Sequence, residues 1–142
     1  KLDEEKVRCA LEITNTYKHK DKQVAELSGG QKQRVWIAMA LAQDTDILFL
    51  DEPTTYLDIR YQLEILKLIR KLNHEYKMTI IMVLHDINQA LYYSDEIAAM
   101  KDGQIIAKGA QEEVITSQLI EEVYGVNLKL TRLDGRPYVL AV

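Results

Sequence analysis

A continuous apolar run, Ile47-Leu48-Phe49-Leu50, ends abruptly in two carboxylates, Asp51 and Glu52. Carboxylates at the C-terminal end of a buried strand stand at the functional edge of an open α/β sheet. Unsolvated charge there is costly unless something offsets it, and a divalent cation does so. Side chains alternate along a strand, so one carboxylate can reach a metal while the other addresses a water. The same pair could equally cap the strand end and face solvent, as Asp and Glu usually do. Upstream, Ser28-Gly29-Gly30-Gln31 opens a helix. Two glycines let a backbone approach an anion closely, and free N–H groups with the helix dipole favour phosphate. The Ser hydroxyl and the Gln amide add donors. Read alone, such a turn is more often only a helix start. His85 follows a second apolar run, Thr79 to Leu84. On a strand parallel to the first it would emerge at the same edge, where an imidazole can bond a phosphate or orient a water. It could also be a structural histidine. Asp58, six residues beyond Glu52, could be only the N-cap of the next helix.

The elements that must position these residues show as periodicities. Val7, Ala10, Leu11 and Thr14 have helical spacing within residues 4–17. His19 lies in the charged loop Lys18 to Lys22 and reads as solvated. Ser28 and Gln31 match a capping box. The helix they open keeps Val35, Trp36, Met39 and Ala42 in register and is apolar around much of its circumference, which predicts a well-buried helix with Trp36 in the core. The runs 47–50 and 79–84 lack alternation, which predicts parallel strands covered on both faces. Between them Leu63, Leu66, Ile69 and Leu72 mark a helix over 59–75. Asp86 can cap a helix from Ile87 to Tyr93. Asp102-Gly103 and Asp134-Gly135 predict two hairpins, the second with a strand from Tyr138 to Val142. Short helices fall around Glu112 to Ile115 and Gln118 to Tyr124, whose apolar positions read as packing.

Composition bounds the function. The 142 residues allow one domain at most. A formal net charge of -4 argues against a nucleic-acid binder. Cys9 is the single cysteine, so no intrachain disulfide is possible and a reducing compartment is expected. The apolar run Val35 to Ala42 is too short to span a bilayer, and the first residues do not read as a signal peptide.

Together these motifs resemble the ATPase subunit of ABC transporters. LSGGQKQR at 27–34 resembles the signature motif, ILFLDE at 47–52 the Walker B strand, TTYLD at 54–58 the D-loop, and His85 in VLHD the switch histidine. The similarity continues through KDGQIIAKG, EEVI and EEVYGV and so covers nearly the whole chain. The Ala-Gln-Asp-Thr run and Tyr56 are similar to the siderophore branch of the iron-chelate, haem and vitamin B12 import group.

The resemblance implies an α/β fold: part of the P-loop NTPase fold of an ABC cassette, with parallel strands, flanking helices, C-terminal β-hairpins and short helices. Residues 1–43 would be the end of a helical subdomain with the signature helix. Residues 44–142 would be the back half of the core. It implies ATP and Mg2+ as cofactors, with Asp51 on the metal, Glu52 as general base and His85 on the γ-phosphate. Ser28, Gly29, Gly30 and Gln31 would act on phosphate in a partner's site, and Asp58 would link the two sites. The implied partners are a second ATPase subunit paired head to tail, transmembrane permease subunits and, indirectly, a substrate-binding protein, with no nucleic acid. The implied location is cytoplasmic, peripheral on the inner face of the cell membrane. A soluble ABC-type ATPase of DNA repair or translation fits less well, given the acidic charge and TTYLD in place of an Asn-containing D-loop. A non-catalytic structural fragment is a second alternative, and a natural regulatory or pseudo-cassette a third, which the presence of Glu52 and His85 disfavours. No glycine is followed by Lys-Ser or Lys-Thr, so the phosphate cradle G-x-x-x-x-G-K-[ST] is not in these residues. The resemblance implies that it lies upstream of residue 1. The isolated 142-residue chain is therefore expected to show no ATP turnover in a phosphate-release assay. Mg2+-dependent turnover that Glu52→Gln removes would contradict this.

Overall fold

The computed structural model describes residues 1–140, which form two units, residues 1–84 and the part that begins at His85. The first holds α1 (Leu2–Ile13), two short 3-10 turns, α2 (Gly29–Leu41), β1 (Ile47–Asp51), α3 (Ile59–Tyr76) and β2 (Thr79–Val83). β1 and β2 pair in parallel from Ile47 opposite Thr79 to Asp51 opposite Val83. Parallel strands need a crossover, and α3 supplies it. Its apolar stripe buries Ile65, Leu66, Leu68, Ile69 and Leu72. Ile65, Leu68, Ile69 and Leu72 pack with Ile37 of α2 and Leu48 of β1 in one core. Full burial of such a side chain stabilises by about 1.5–3 kcal/mol. Leu63, expected in the stripe, is 38% exposed. A spacing of three falls short of a 3.6-residue turn and drifts around the helix, so the first of four positions leaves the buried face. α3 closes on Lys77 in the left-handed region (φ 57°), and its N–H bonds the Leu72 carbonyl.

Two expectations about burial are corrected. The strands are covered on one face, not both, among the described residues. Leu48 is buried and Leu50, Ile80 and Met82 are half-buried against the core, while Ile47, Phe49, Ile81 and Val83 point away from it and are exposed. The unit's one long crossover helix can cover only one side of a two-stranded sheet. Trp36 is not in the core: it is 53% exposed, and Met39 is similarly open. α2 buries Gly30, Ile37 and Ala38 instead. A helix apolar on most sides has no periodicity that selects a face, so its neighbours α1 and α3 select it.

The second unit holds α4 (Ile87–Tyr93), β3 (Glu96–Lys101), β4 (Gln104–Ala110), α5 (Gln111–Val114), α6 (Ser117–Tyr124), β5 (Lys129–Leu133) and β6 (Arg136–Leu140). The last two residues of the expected final strand, 141 and 142, lie outside the described residues. Both hairpins form as read. Asp102 and Gly103 take φ of 49° and 76°, and Asp134 and Gly135 take 50° and 80°, the paired positive values of a tight primed turn. Leu91, Ile115, Ile120 and Val139 make the core. Asn88 ties α4 to β6: its side-chain amide donates to the Val139 carbonyl and accepts from the Val139 N–H, each at 2.9 Å.

The outward strand face carries Phe49 at 71% and Val83 at 55% exposure. An apolar face of this kind drives association. The isolated chain is expected to gain mass with concentration in static light scattering, and Phe49→Ser with Ile81→Ser to reduce that gain. A concentration-independent monomer mass would contradict it.

Candidate functional site

Ser28 begins α2 with extended backbone (φ -65°, ψ 163°). Its Oγ accepts from the Gln31 N–H at 3.3 Å, and Gln31 Oε1 accepts from the Ser28 N–H at 3.0 Å. This capping box consumes the acceptor oxygens of both side chains. The hydroxyl hydrogen and the amide NH2 are the ends it leaves available. Gly29 and Gly30 occupy the first turn, where N–H groups have no intrahelical acceptor. Ser28 and Gly29 are exposed, whereas Gly30 is buried. The turn can therefore offer donors to an anion.

The two glycines are not equivalent. A Cβ on Gly30 would sit 2.7 Å from Tyr61 Cδ1 and 3.0 Å from its Cγ, while one on Gly29 would meet only the tip of Leu57 at 3.3 Å. Gly30 is required by helix packing; Gly29 leaves the exposed side of the turn open. Composition alone did not reveal this division.

Tyr61 and Leu57 belong to the segment that Asp58 caps. Asp58 Oδ1 accepts from the Tyr61 N–H at 3.2 Å, and Gln62 donates to the Leu57 carbonyl at 2.8 Å. Asp58 is thus the N-cap of α3, and its carboxylate is exposed. The structure brings the start of α2 and the start of α3 together.

Asp51 is the last residue of β1 and is exposed. Glu52 lies outside the strand in the left-handed region (φ 50°). Glu52 is therefore not a strand residue, and the alternation expected of the pair stops at Asp51. The Glu52 N–H donates to the Val83 carbonyl at 3.1 Å, its carbonyl accepts from the Thr55 N–H at 3.2 Å, and its Oε2 accepts from the Thr55 hydroxyl at 3.2 Å. A non-glycine residue in this region costs about 1–2 kcal/mol, and the flanking bonds hold it there. Pro53 and Thr54 are buried behind it. Tyr56 also has positive φ (62°) and is fully exposed. Among the described residues no three of His, Cys, Asp and Glu gather into a metal-holding cluster. A lone exposed carboxylate fits Mg2+, which keeps several waters and takes substrate phosphate oxygens beside one or two carboxylates.

His85 opens the second unit and is exposed. Asp86 beside it accepts from the Asn88 N–H at 2.8 Å and the Gln89 N–H at 3.0 Å, capping α4 as read. His19, expected in solvent, is half-buried: its Nδ1 is enclosed and has no hydrogen-bond partner among the described residues. Burial, then Lys22 and Lys18, lower its pKa. It lies at the end of a 3-10 turn, Tyr17–His19. No described helix is long and apolar enough to cross a membrane.

The ABC transporter family profile matches residues 3–55. Over 139 residues the chain is 52% identical to a probable siderophore transport system ATP-binding protein, YusV, of Bacillus subtilis (strain 168), covering 96% of this chain and 50% of that one. Over 142 residues it is 49% identical to the ferric enterobactin transport ATP-binding protein FepC of Escherichia coli (strain K12), covering 99% and 52%. Among solved structures, cbiO1 of Clostridium perfringens, part of the ABC transporter complex cbiONQ, superposes with a TM-score of 0.72 at 40% identity, covering 78% of this chain and 44% of that one. The chain spans about half the length of the curated relatives it matches.

Placing a methyl group on Gly30 should overpack the Tyr61 contact by about 1–3 kcal/mol, against a helix-propensity gain of up to about 1 kcal/mol. Gly30→Ala is therefore expected to lower the urea midpoint and Gly29→Ala to leave it unchanged or slightly raised. Tyr61→Ala in the Gly30→Ala background should narrow the difference. Equal effects at the two glycines would contradict the packing role.

Proposed function

The chain belongs to the ATP-binding proteins of ABC transporters, and from that premise we propose that it forms the signature-bearing and carboxylate-bearing part of the ATP-hydrolysing subunit of an importer for iron chelates of the siderophore type. The observation that carries the chemistry is Glu52, held in a left-handed turn directly after the Asp51 strand end with its backbone bonded on both sides. The relatives' names support the transported class, since several at 46–52% identity are named as petrobactin import, siderophore transport or ferric enterobactin transport ATP-binding proteins.

In this reading ATP is the substrate. Asp51 holds Mg2+, which neutralises phosphate charge when bound. Glu52 accepts a proton from the attacking water as its oxygen bonds the γ-phosphorus and the bond to the ADP oxygen breaks. His85 donates to the γ-phosphate and orients that water. The Ser28 hydroxyl, the Gly29 and Gly30 amides and the Gln31 NH2 stabilise phosphate charge across a head-to-tail pair of subunits, where backbone donors act without reorganisation. Asp58 stands at the junction of the two sites. The subunit sits at the cytoplasmic face of the membrane on transmembrane permease subunits, which link it indirectly to a substrate-binding protein, with no nucleic acid involved.

Glu52→Gln keeps the turn's shape and removes the base. In the full-length subunit it is expected to lower ATP turnover by about 10²–10⁴-fold and to leave nucleotide affinity nearly unchanged, read by phosphate release and equilibrium binding. Wild-type turnover in that variant would overturn the assignment.

A further inference from the structure

Arg34 joins three elements of the first unit. Its Nη1 donates to the Thr14 carbonyl at 3.1 Å, just past α1, and its Nη2 donates to Glu64 Oε2 on α3 at 3.2 Å. The other Glu64 oxygen accepts from Arg60 Nε at 3.1 Å. The Thr14 end and the Arg34 centre of this link are held in place. Thr14 is fully buried, with its hydroxyl on the Ala10 carbonyl at 2.9 Å, and the Arg34 side chain is only 20% exposed. The bond to Arg60, then that to Arg34, holds the Glu64 carboxyl below the usual carboxylate range against its desolvation.

The position of this link on the two helices matters more than its strength. Gly30 and Arg34 are four residues apart on α2, and Tyr61 and Glu64 are three apart on α3, so each pair lies on one helix face. The Gly30–Tyr61 contact and the Arg34–Glu64 ion pair are therefore successive rungs joining the first two turns of α2 to the first two turns of α3. Ser28 caps one helix and Asp58 the other. Sliding or rotating α2 must break the ion pair and lift Gly30 off the Tyr61 ring together.

We propose that Glu64 is a positioning residue that, through Arg34, sets the Ser28–Gln31 turn against the Asp58 cap so that the two motifs move as one body. Glu64 touches no nucleotide; it acts by fixing the turn whose donors meet phosphate charge. The proposal rests on the function given above for that turn. An exposed ion pair without this duty would matter little to either stability or rate.

The test uses the full-length subunit, with wild type, Glu64→Ala and Glu64→Gln compared in steady-state ATP hydrolysis and in amide hydrogen exchange. A misplaced donor set loses interaction mainly in the transition state. Glu64→Ala is expected to lower kcat by about 10–100-fold with KM for ATP changed less than about twofold. Glu64→Gln, which keeps an acceptor for Arg34, should recover part of the loss. The Gln31 and Lys32 amides, both bonded to Ser28, should exchange faster in Glu64→Ala while those of Leu66 to Leu72 stay protected. Wild-type hydrolysis with Glu64→Ala at the same rate and unchanged Gln31 and Lys32 protection overturns the proposal and leaves the ATPase reading standing. Faster exchange throughout α3 also overturns it, as general destabilisation. If the wild type itself does not hydrolyse ATP, the ATPase reading fails, and the exchange pattern alone decides whether Glu64 couples the two turns.

Discussion

The first unit depends on the buried stripe of α3. Leu72, Ile65 and Leu66 have no exposed surface, and one side of the strand pair packs on that stripe through Leu48. The amino end of the same helix receives α2 at Tyr61 and Glu64. One rigid element thus sets both the strand end that presents Asp51 and the turn that presents Ser28. Sites carried on packed helices and strands hold geometry better than sites on free loops.

This arrangement gives each polar motif its own local mechanism. The Ser28–Gln31 turn is organised by a reciprocal cap that points its acceptors inward. Glu52 is organised by backbone conformation: positive φ, with a β2 carbonyl on one side and Thr55 on the other. Asp58 spends its carboxylate on the α3 amide of Tyr61. In each case, bonds among neighbours fix the residue.

Much of this was legible in the sequence, for a physical reason in each case. The caps at Ser28, Asp58 and Asp86, and both Asp-Gly hairpins, follow from local chemistry and formed as read. Burial was less legible because it depends on neighbours. Trp36 and Phe49 are apolar enough for a core, yet the faces that carry them have no covering element among the described residues. The left-handed turn at Glu52 left no signal, since nothing in Asp-Glu-Pro demands positive φ. The Arg34–Glu64 link, between residues thirty apart, could be seen only once α2 and α3 were placed side by side. Nothing in the charged run Lys18 to Lys22 marks one ring as half-buried, so the enclosure of His19 Nδ1 left no signal.

On the proposed function, the Leu27–Asp58 stretch serves an ATPase that drives iron-chelate import. The most direct measurement is uptake of radioactive iron, supplied as its siderophore complex, by cells whose only copy of the full-length protein carries Glu52→Gln. Uptake should fall to the level of cells lacking the protein, while the wild-type copy restores it. Uptake at the wild-type rate with Glu52→Gln, or in cells without the protein, would contradict the account.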